Sequence, residues 1–390
     1  MTDTSMNAPK GALLDGPGKA KGTEAPDIVR VAKKYGVSPL RQLRESWSMR
    51  GGAQKLGSNE YYSYGLYHPD MPKEAKRAFV GQKGIIALNA RMNPPQAVPT
   101  RAFVGNKLLY TQLLAQLGIG TAATQALVST HRNAGQMPIL REAYRVIAFL
   151  EDEARYPLFG KPHHGSLSEG SVRIERCAEG ILHLASGETR AVAEFAEEVM
   201  ARYPGGFILQ DALDPHPDMA AITGPVIGCV RVVTVNDGSG PAPAYAVWKL
   251  PAPRAMSDNF WQAGSLLAAL DLDTGTVTRC VRGTGLAQDH IDRHPTSGAQ
   301  IMGAVLPCWQ DTRDIAVEAH AVFPEFGICG FDIAITPEGP KVLECNDNPA
   351  HTLYQIGAGR GLLSPDLAPI WDRVAKRQAK QLARMKGMKR

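Results

Sequence analysis

Between residues 228 and 344 the chain reads as one strand after another, and this run limits the folds open to it more than any other feature. IGCVRVVTV, AYAVWKLP, SLLAALDLDTGTVTRCV and GFDIAITPEGPKVLECN are rich in β-branched and apolar residues and are separated by Gly, Pro and Asp turns. One helical pattern, near residues 311–322, interrupts them. Strands joined this directly pair antiparallel. The sequence therefore predicts an α+β fold and excludes the repeated βαβ units of a dinucleotide-binding sheet.

The last of these segments carries an anomaly. In GFDIAITPEGPKVLECNDNP, Phe331, Ile333 and Ile335 alternate on one strand, Val342, Leu343 and Cys345 lie on the next, and Pro337-Glu338-Gly339 supplies the turn. A hairpin this apolar is buried on at least one face, yet it holds Asp332, Glu344 and Asn346. A period of two puts Glu344 and Asn346 on the same side, and pairing across the turn brings Asp332 opposite them. Buried carboxylates so close must share a proton, bind a cation or find basic partners. Two acids with an amide suit a hard divalent ion, Mg²⁺, Mn²⁺ or Ca²⁺ rather than zinc. A Mg²⁺ with so few protein oxygens completes its octahedron with phosphate and water, which makes a nucleotide the natural complement.

Upstream, residues 27–60 read as helical pieces (DIVRVAKKYG, PLRQLRESWSMR), followed by an irregular aromatic segment, YYSYGLYHPD. NKLLYTQLLAQL is helical, GTAATQALVS continues as a strand, and REAYRVIAFLEDEAR is again helical. Then come a strand ending at Lys161, the loop HHGSLSEGSV, the strands VRIERC and GILHLA, the helix TRAVAEFAEEVMARY and the strand GGFILQDAL. A Gly/Ser loop between strands presents backbone N–H groups to phosphates with little steric hindrance, although such loops are common; it is not a Walker A motif, which leads into a helix. Gln210-Asp211-Ala212-Leu213 reads either as a plain strand end or as a hinge whose backbone pairs with a base. Arg231 and Lys249 sit within apolar strands, where each needs an anionic partner, from the protein or from a ligand. Asp258-Asn259 carries no signal by itself.

Composition excludes several classes. At 390 residues, 44% hydrophobic and 21% charged, the chain has a globular profile with room for two or three lobes. No run of 18 apolar residues predicts a membrane-spanning helix, and the N-terminal stretch, whose longest apolar run is Ala12-Leu13-Leu14, lacks a signal-peptide core. The net charge of +5 comes from the C-terminal tail, which has eight Lys or Arg and no acid from Arg373 to Arg390. That tail reads as a solvated helix end or as a weak contact for an anionic surface, without the bulky apolar face of an interfacial helix; no nucleic-acid partner is expected. Six cysteines without a CxxC pair indicate a reduced, cytoplasmic protein.

Taken in order, FGKPHHGSLSEGSV, LQDALDPHPDMAAI, CVRVVTV, DNFWQAGSLLAALDLDTG, HPTSGAQIMGAVLPCW and GFDIAITPEGPKVLECNDNP resemble the ATP-grasp superfamily, and within it the sugar-transfer-associated, alpha-L-glutamate-ligase-like branch. The likeness covers about 155–350 and reaches back more weakly to NKLLYTQLLAQLGI. It implies two α+β lobes with nucleotide between them, in an ATP-grasp domain (106–370, with a lid lobe about 150–210 and a metal-binding lobe about 211–360). An N-terminal region (27–105) precedes it; composition adds a disordered leader (1–26), rich in Gly, Pro, Lys and Thr, and the basic tail (371–390).

Carried over residue by residue, the resemblance puts Lys161 on the ATP phosphates beneath a lid, 165–171, that includes Gly165, Ser166, Ser168 and Gly170. Lys107 matches an earlier phosphate-contacting lysine. Gln210, Asp211 and the backbone of Ala212 and Leu213 would take the adenine, with His216 or Asp218 near the ribose. Arg231 would stabilise the transferring γ-phosphoryl, while Asp332, Glu344 and Asn346 hold one or two Mg²⁺, with Mn²⁺ as the alternative. Two departures stand out. Lys249 stands where related ligases often carry Arg, and the arginine some of them place just before the metal-binding Asp is absent, Gly330 preceding Asp332 by two. The implied activity is ATP- and Mg²⁺-dependent ligation of a small carboxylate to an amine through an acyl phosphate. Kinase-like transfer without ligation and a non-catalytic nucleotide-binding scaffold are the rivals. The acid and amine are not legible; their pocket is expected from segments 40–100, 280–300 and 350–362.

Overall fold

The computed structural model describes residues 11–13, 25–165, 168–252, 255 and 257–388. The chain divides into two compact units, one built mainly on 122–213 and one on 19–121 with 214–253 and 258–390.

The first unit is a seven-stranded sheet: β1 (Thr124–Val128), β2 (Ile139–Leu140), β3 (Leu158–Pro162), β4 (Val172–Ala178), β5 (Ile181–Leu184), β6 (Thr189–Ala191) and β7 (Phe207–Asp211), in the order β2-β1-β7-β3-β4-β5-β6. Only β1 and β2 run parallel. Ala126, Val128, Leu158, Val172, Ile174, Phe207 and Leu209 form a core with Val146, Phe195 and Val199 from the helices Ala143–Ala148 and Val192–Arg202. The two-residue period turns Phe159, Lys161, Arg173, Ile208 and Gln210 to the opposite face. The helical segment after Arg141 is shorter than expected: its α-helix ends at Ala148 and becomes a π-type turn over Phe149–Glu153, with the Ala154 N–H donating to the Phe149 carbonyl. In the leader, Ala12 and Leu13 are buried in this core and the Ala12 N–H donates to Glu198 Oε2 at 2.7 Å. Its positions 1–10 and 14–24 lie outside the described residues.

The second unit carries β8 (Val230–Asn236), β9 (Pro241–Leu250), β10 (Leu266–Leu270), β11 (Val277–Arg282), β12 (Asp289–His290), β13 (Ile328–Thr336) and β14 (Gly339–Asn346), all antiparallel, in the order β12-β11-β10-β9-β8-β13-β14. Both faces are covered. Val233, Val235, Val247, Leu267, Val281 and Ile328 join a core with Tyr61, Phe79, Ile85, Met92 and Trp371. Val230, Val232, Trp248, Leu266, Ala268, Phe331 and Ile333 join another with Tyr110, Leu114, Ile315 and Phe326. Burial on two sides is why these strands read as nearly continuous apolar runs rather than clean alternations. The expected helices in 27–60 are Asp27–Tyr35 and Pro39–Ser48, and the interrupting helix is Trp309–Ala321. The aromatic segment begins not as irregular chain but as a short helix, Ser58–Ser63, whose Tyr61 is fully buried. A further helix, Gln82–Met92, has Ile85, Leu88 and Met92 on its buried side, the spacing of a helix face. The basic tail is helical from Ala368 to Met388, with Trp371, Val374 and Ala375 in the core.

The β13–β14 hairpin explains how acids and core share four strand residues. Asp332 pairs with Glu344, but Ile333 pairs with Val342, so Leu343 is an extra residue. Val342 and Cys345 are three apart, yet the bulge lets both join the core with Phe331 and Ile333. Glu344 and Asn346 are left on the face that carries Asp332.

Candidate active site

The polar residues of the second unit cluster on that face. Arg231 of β8 stands opposite Asp332 of β13 in the strand register, as Glu344 of β14 does on the other side. The guanidinium grips the carboxylate with two bonds, Nε to Oδ1 at 2.5 Å and Nη2 to Oδ2 at 2.8 Å. Lys249 of β9 adds a bond to Oδ2 at 3.2 Å and pairs with Asp258 at 2.9 Å. Asp258 Oδ2 also accepts the Cys229 N–H at 3.2 Å. On the other side, Glu344 Oε1 accepts from Asn346 Nδ2 at 3.1 Å and Oε2 pairs with Lys107 at 3.3 Å, at the start of the helix Lys107–Gln116. Arg231, Lys249 and Asp332 are each less than a tenth exposed, whereas the Glu344 side chain is about a quarter exposed.

Burial by itself would raise the Asp332 carboxyl, but the charges and hydrogen bonds of Arg231 and Lys249 outweigh it and hold it well below the usual carboxylate range. Burial likewise works against Glu344, and Lys107 overcomes it, so this carboxyl is lowered too. For Arg231 and Lys249 burial favours the neutral form, but their acidic neighbours keep both charged.

A second network lies behind this one. His351, fully buried, has Nδ1 2.7 Å from the Tyr245 hydroxyl and Nε2 2.8 Å from Asn89 Oδ1. Because Asn89 Oδ1 can only accept, Nε2 carries the proton and Tyr245 donates to Nδ1. Asn89 Nδ2 then holds Asn348 Oδ1 at 2.7 Å and the Pro349 carbonyl at 3.0 Å, fixing the loop that follows Asn346. Burial, with the positive charge of Arg231, takes the His351 pKa down to about 3, so the ring is neutral.

The sequence-predicted residues fall into separate groups. Arg231, Lys249, Asp332, Glu344, Asn346 and Lys107 meet in the second unit. In the first unit, Lys161 pairs with Ile208 in the sheet and shares a face with Gln210. The loop beyond Lys161 is built for glycine at Gly165 (φ 138°) and Gly170 (φ 75°), where a Cβ would come 2.2 Å from Tyr203 Oη; Ser168 takes the same left-handed region (φ 59°). Ser166 lies outside the described residues. Asp211 is engaged within the protein, accepting from Gln125 at 2.6 Å and Arg155 at 2.9 Å. The Ala212 N–H donates to the Pro157 carbonyl at 3.0 Å, and the Leu213 carbonyl accepts from Arg173 at 3.0 Å. His216 caps the helix Pro217–Thr223 by accepting the Asp218 N–H at 3.3 Å; Asp218 is exposed. Sequence reasoning missed Asp258, His351, Tyr245 and Asn89. None of the four had a signal by itself; Asp258 stands beside Asn259 ahead of a strand, a pattern that names no chemistry alone.

The donor set fits a hard metal shared with phosphate. Asp332, Glu344 and Asn346 offer only oxygen, and the hydrogen bonds to Glu344 leave lone pairs on both its oxygens. No group of three or more His, Cys, Asp or Glu among the described residues forms a metal cage. A bound Mg²⁺ would therefore need outside oxygens, and Lys107, Lys249 and Arg231 stand where such anions would be neutralised.

A model of the sugar-transfer-associated ATP-grasp family matches residues 86–368. The chain belongs to that family. No curated protein matches the sequence. Among solved structures this ATP-grasp chain is similar to the D-alanine-D-alanine ligase from Coxiella burnetii, with 15% identity over 79% of this chain and 69% of that one and a TM-score of 0.45. It is also similar to the VanG D-Ala:D-Ser ligase from Enterococcus faecalis, at 12% identity over 71% and 62% with a TM-score of 0.41. The family match begins within the helix Gln82–Met92 and includes every site residue named above.

Proposed function

We propose that this ATP-grasp protein is an ATP- and Mg²⁺-dependent ligase that activates a small carboxylate as an acyl phosphate and joins it to an amine. The observation that carries the reading is the buried Arg231–Asp332–Lys249 array beside Glu344 and Lys107. Three cations held among three carboxylates, Asp332, Asp258 and Glu344, make a larger buried array than a structural ion pair needs. They suit phosphoryl transfer, which depends on positioning and electrostatic stabilisation rather than on a protein nucleophile.

Arg231 and Lys249, held rigid by Asp332 and Asp258, stabilise negative charge on the transferring phosphoryl without reorganising as it develops. Lys107 exchanges Glu344 for a phosphate oxygen. Lys161 and Gln210 hold phosphate and base, and with the Ala212 N–H and Leu213 carbonyl already engaged, the Ala212 carbonyl and Leu213 N–H are the backbone groups for the adenine. Asp332, Glu344 and Asn346 would hold Mg²⁺, which supplies charge neutralisation at phosphate oxygens. The loop 165–171 excludes water, to which an acyl phosphate would otherwise be lost.

The test is an ADP-release screen of acid and amine pairs, with the product identified by mass spectrometry. Amide formed only when acid, amine, ATP and Mg²⁺ are all present is the expected result. A stable phosphorylated acid with no amide across a broad amine panel would replace ligation by kinase-like transfer. An absence of any melting-temperature rise with millimolar Mg²⁺-ATP would remove the nucleotide from the reading altogether.

A further inference from the structure

One helix of the second unit is built inside out. On Pro39–Ser48 the buried positions are polar: Gln42 is 1% exposed and Ser46 5%, with Gln42 Nε2 donating to the Ile28 and Val37 carbonyls at 3.1 and 2.7 Å. The apolar residues face solvent: Leu40 is 80% exposed, Leu43 50% and Trp47 68%. Their spacing of i, i+3 and i+7 makes one continuous stripe. A helix that folds with its apolar stripe outward leaves that stripe for another phase or another molecule. The helix lies outside 86–368, the residues that the family match covers.

The border of the stripe is cationic. Arg44 and Arg50 are exposed, the Arg50 guanidinium lying 5.5 Å from the centre of the Trp47 ring, and the preceding helix adds exposed Lys33 and Lys34. None of the four enters an ion pair among the described residues. The acid on the helix, Glu45, is already held by Arg41 and Lys76, both at 2.9 Å.

We propose that the Leu40–Leu43–Trp47 stripe is a peripheral docking surface for an anionic lipid bilayer, the three side chains entering the headgroup boundary while Arg44 and Arg50 meet the phosphates. Leu and Trp on one side with Arg and Lys around them is the residue pattern of an interfacial helix. A second copy of this chain fits worse, because a twofold contact sets the Arg44 and Arg50 rims against themselves. A protein partner needs about 800 Å² from each side, more than three side chains supply, whereas shallow lipid insertion needs only the stripe. No described helix is long and apolar enough to cross a membrane, so the contact is peripheral. The basic tail is not the equivalent, since Trp371 and Val374 at its start are turned into the core.

The test is cosedimentation of the full chain with vesicles of phosphatidylcholine alone and of phosphatidylcholine mixed with phosphatidylglycerol. Binding to the mixed vesicles only, weakening as salt rises, is expected. Leu40→Glu with Trp47→Glu should weaken it by about tenfold or more, with the melting temperature kept because both side chains are exposed. Three results would each overturn the proposal: no binding to the anionic vesicles at low salt, binding that survives Leu40→Glu/Trp47→Glu and disappears with Lys380→Glu/Arg384→Glu, or a concentration-dependent dimer that the stripe variant abolishes while vesicles are ignored.

Discussion

Pro349 occupies the space above Gly330. A Cβ built at 330 would lie 2.8 Å from Pro349 Cβ, while Arg231 Cδ, at 3.4 Å, is at ordinary contact distance. Some of the ligases this sequence resembles place an arginine at this point, ahead of the Asp that Asp332 matches. Here the guanidinium reaches Asp332 from β8, the neighbouring strand, and Pro349 leaves room only for glycine at 330. Gly330→Ala should therefore displace the Pro349 loop, costing about 1–3 kcal/mol as an overpacked site does. Urea unfolding measures it, and a variant as stable as the wild type would mean that the Pro349 loop gives way without cost.

Asp332 and Asp258 differ in what their loss leaves behind. Asp332→Asn removes the carboxylate that grips Arg231, leaving a buried guanidinium without its bidentate partner, and should destabilise by about 3–5 kcal/mol. Asp258→Asn leaves Lys249 its bond to Asp332 and should cost less. Equal losses in the two variants, read from denaturation midpoints at constant slope, would contradict this ordering.

Stability should depend on pH in two windows. The folded-state pKa values of Asp332 and Glu344 are depressed, so the stability they contribute is whole above the unfolded values of about 3.9 and 4.3 and is lost as pH falls below them. His351 acts earlier. Its folded value of about 3 lies below the unfolded value of about 6.5, so between these the unfolded chain takes up a proton that the folded protein excludes. Stability then falls by up to about 1.4 kcal/mol per pH unit on acidification. His320, lowered by burial to about 4, adds a similar slope. His351→Gln should flatten the decline between pH 6 and roughly 4; an unchanged slope would assign the acid sensitivity elsewhere.

Lys107 should matter more for ligand than for fold. Its pair with Glu344 is partly exposed, so Lys107→Ala should change stability by about 1 kcal/mol or less. The melting-temperature rise with Mg²⁺-ATP should shrink in Lys107→Ala, as it should in Lys161→Ala. A full-sized shift in both variants would count against their phosphate roles.

The hairpin was legible because Phe331, Ile333 and Ile335 keep a strict period, and Asp332 and Glu344 fall out of step with them. The bulge at Leu343 was not, since Val342, Leu343 and Cys345 all look like core residues and only the partner strand decides which one is extra. Arg231 and Lys249 were recognisable as cations that need an anion. That they need the same anion follows from the strand order β9-β8-β13, which no local pattern encodes. Asp258, Asn89 and His351 are brought to the site by long-range pairing from loops and from an N-terminal helix, so their spacing in the sequence is silent. Pro39–Ser48 reads as an ordinary amphipathic helix, and the sequence contains nothing to say that its polar side turns inward.

The bulge at Leu343 also sets a reading frame. Residues before it and after it are counted from different origins, and the bulge absorbs one surplus residue so that the core and the acids keep their proper sides. Deleting Leu343 would leave a regular ladder in which Val342 still meets Ile333 and Glu344 still meets Asp332. One more residue at this point, with no second bulge to take it up, would turn the strand over from Glu344 onward, driving two polar side chains into the core and Cys345 onto the face that holds Asp332. The hairpin therefore tolerates a shorter strand here and not a longer one.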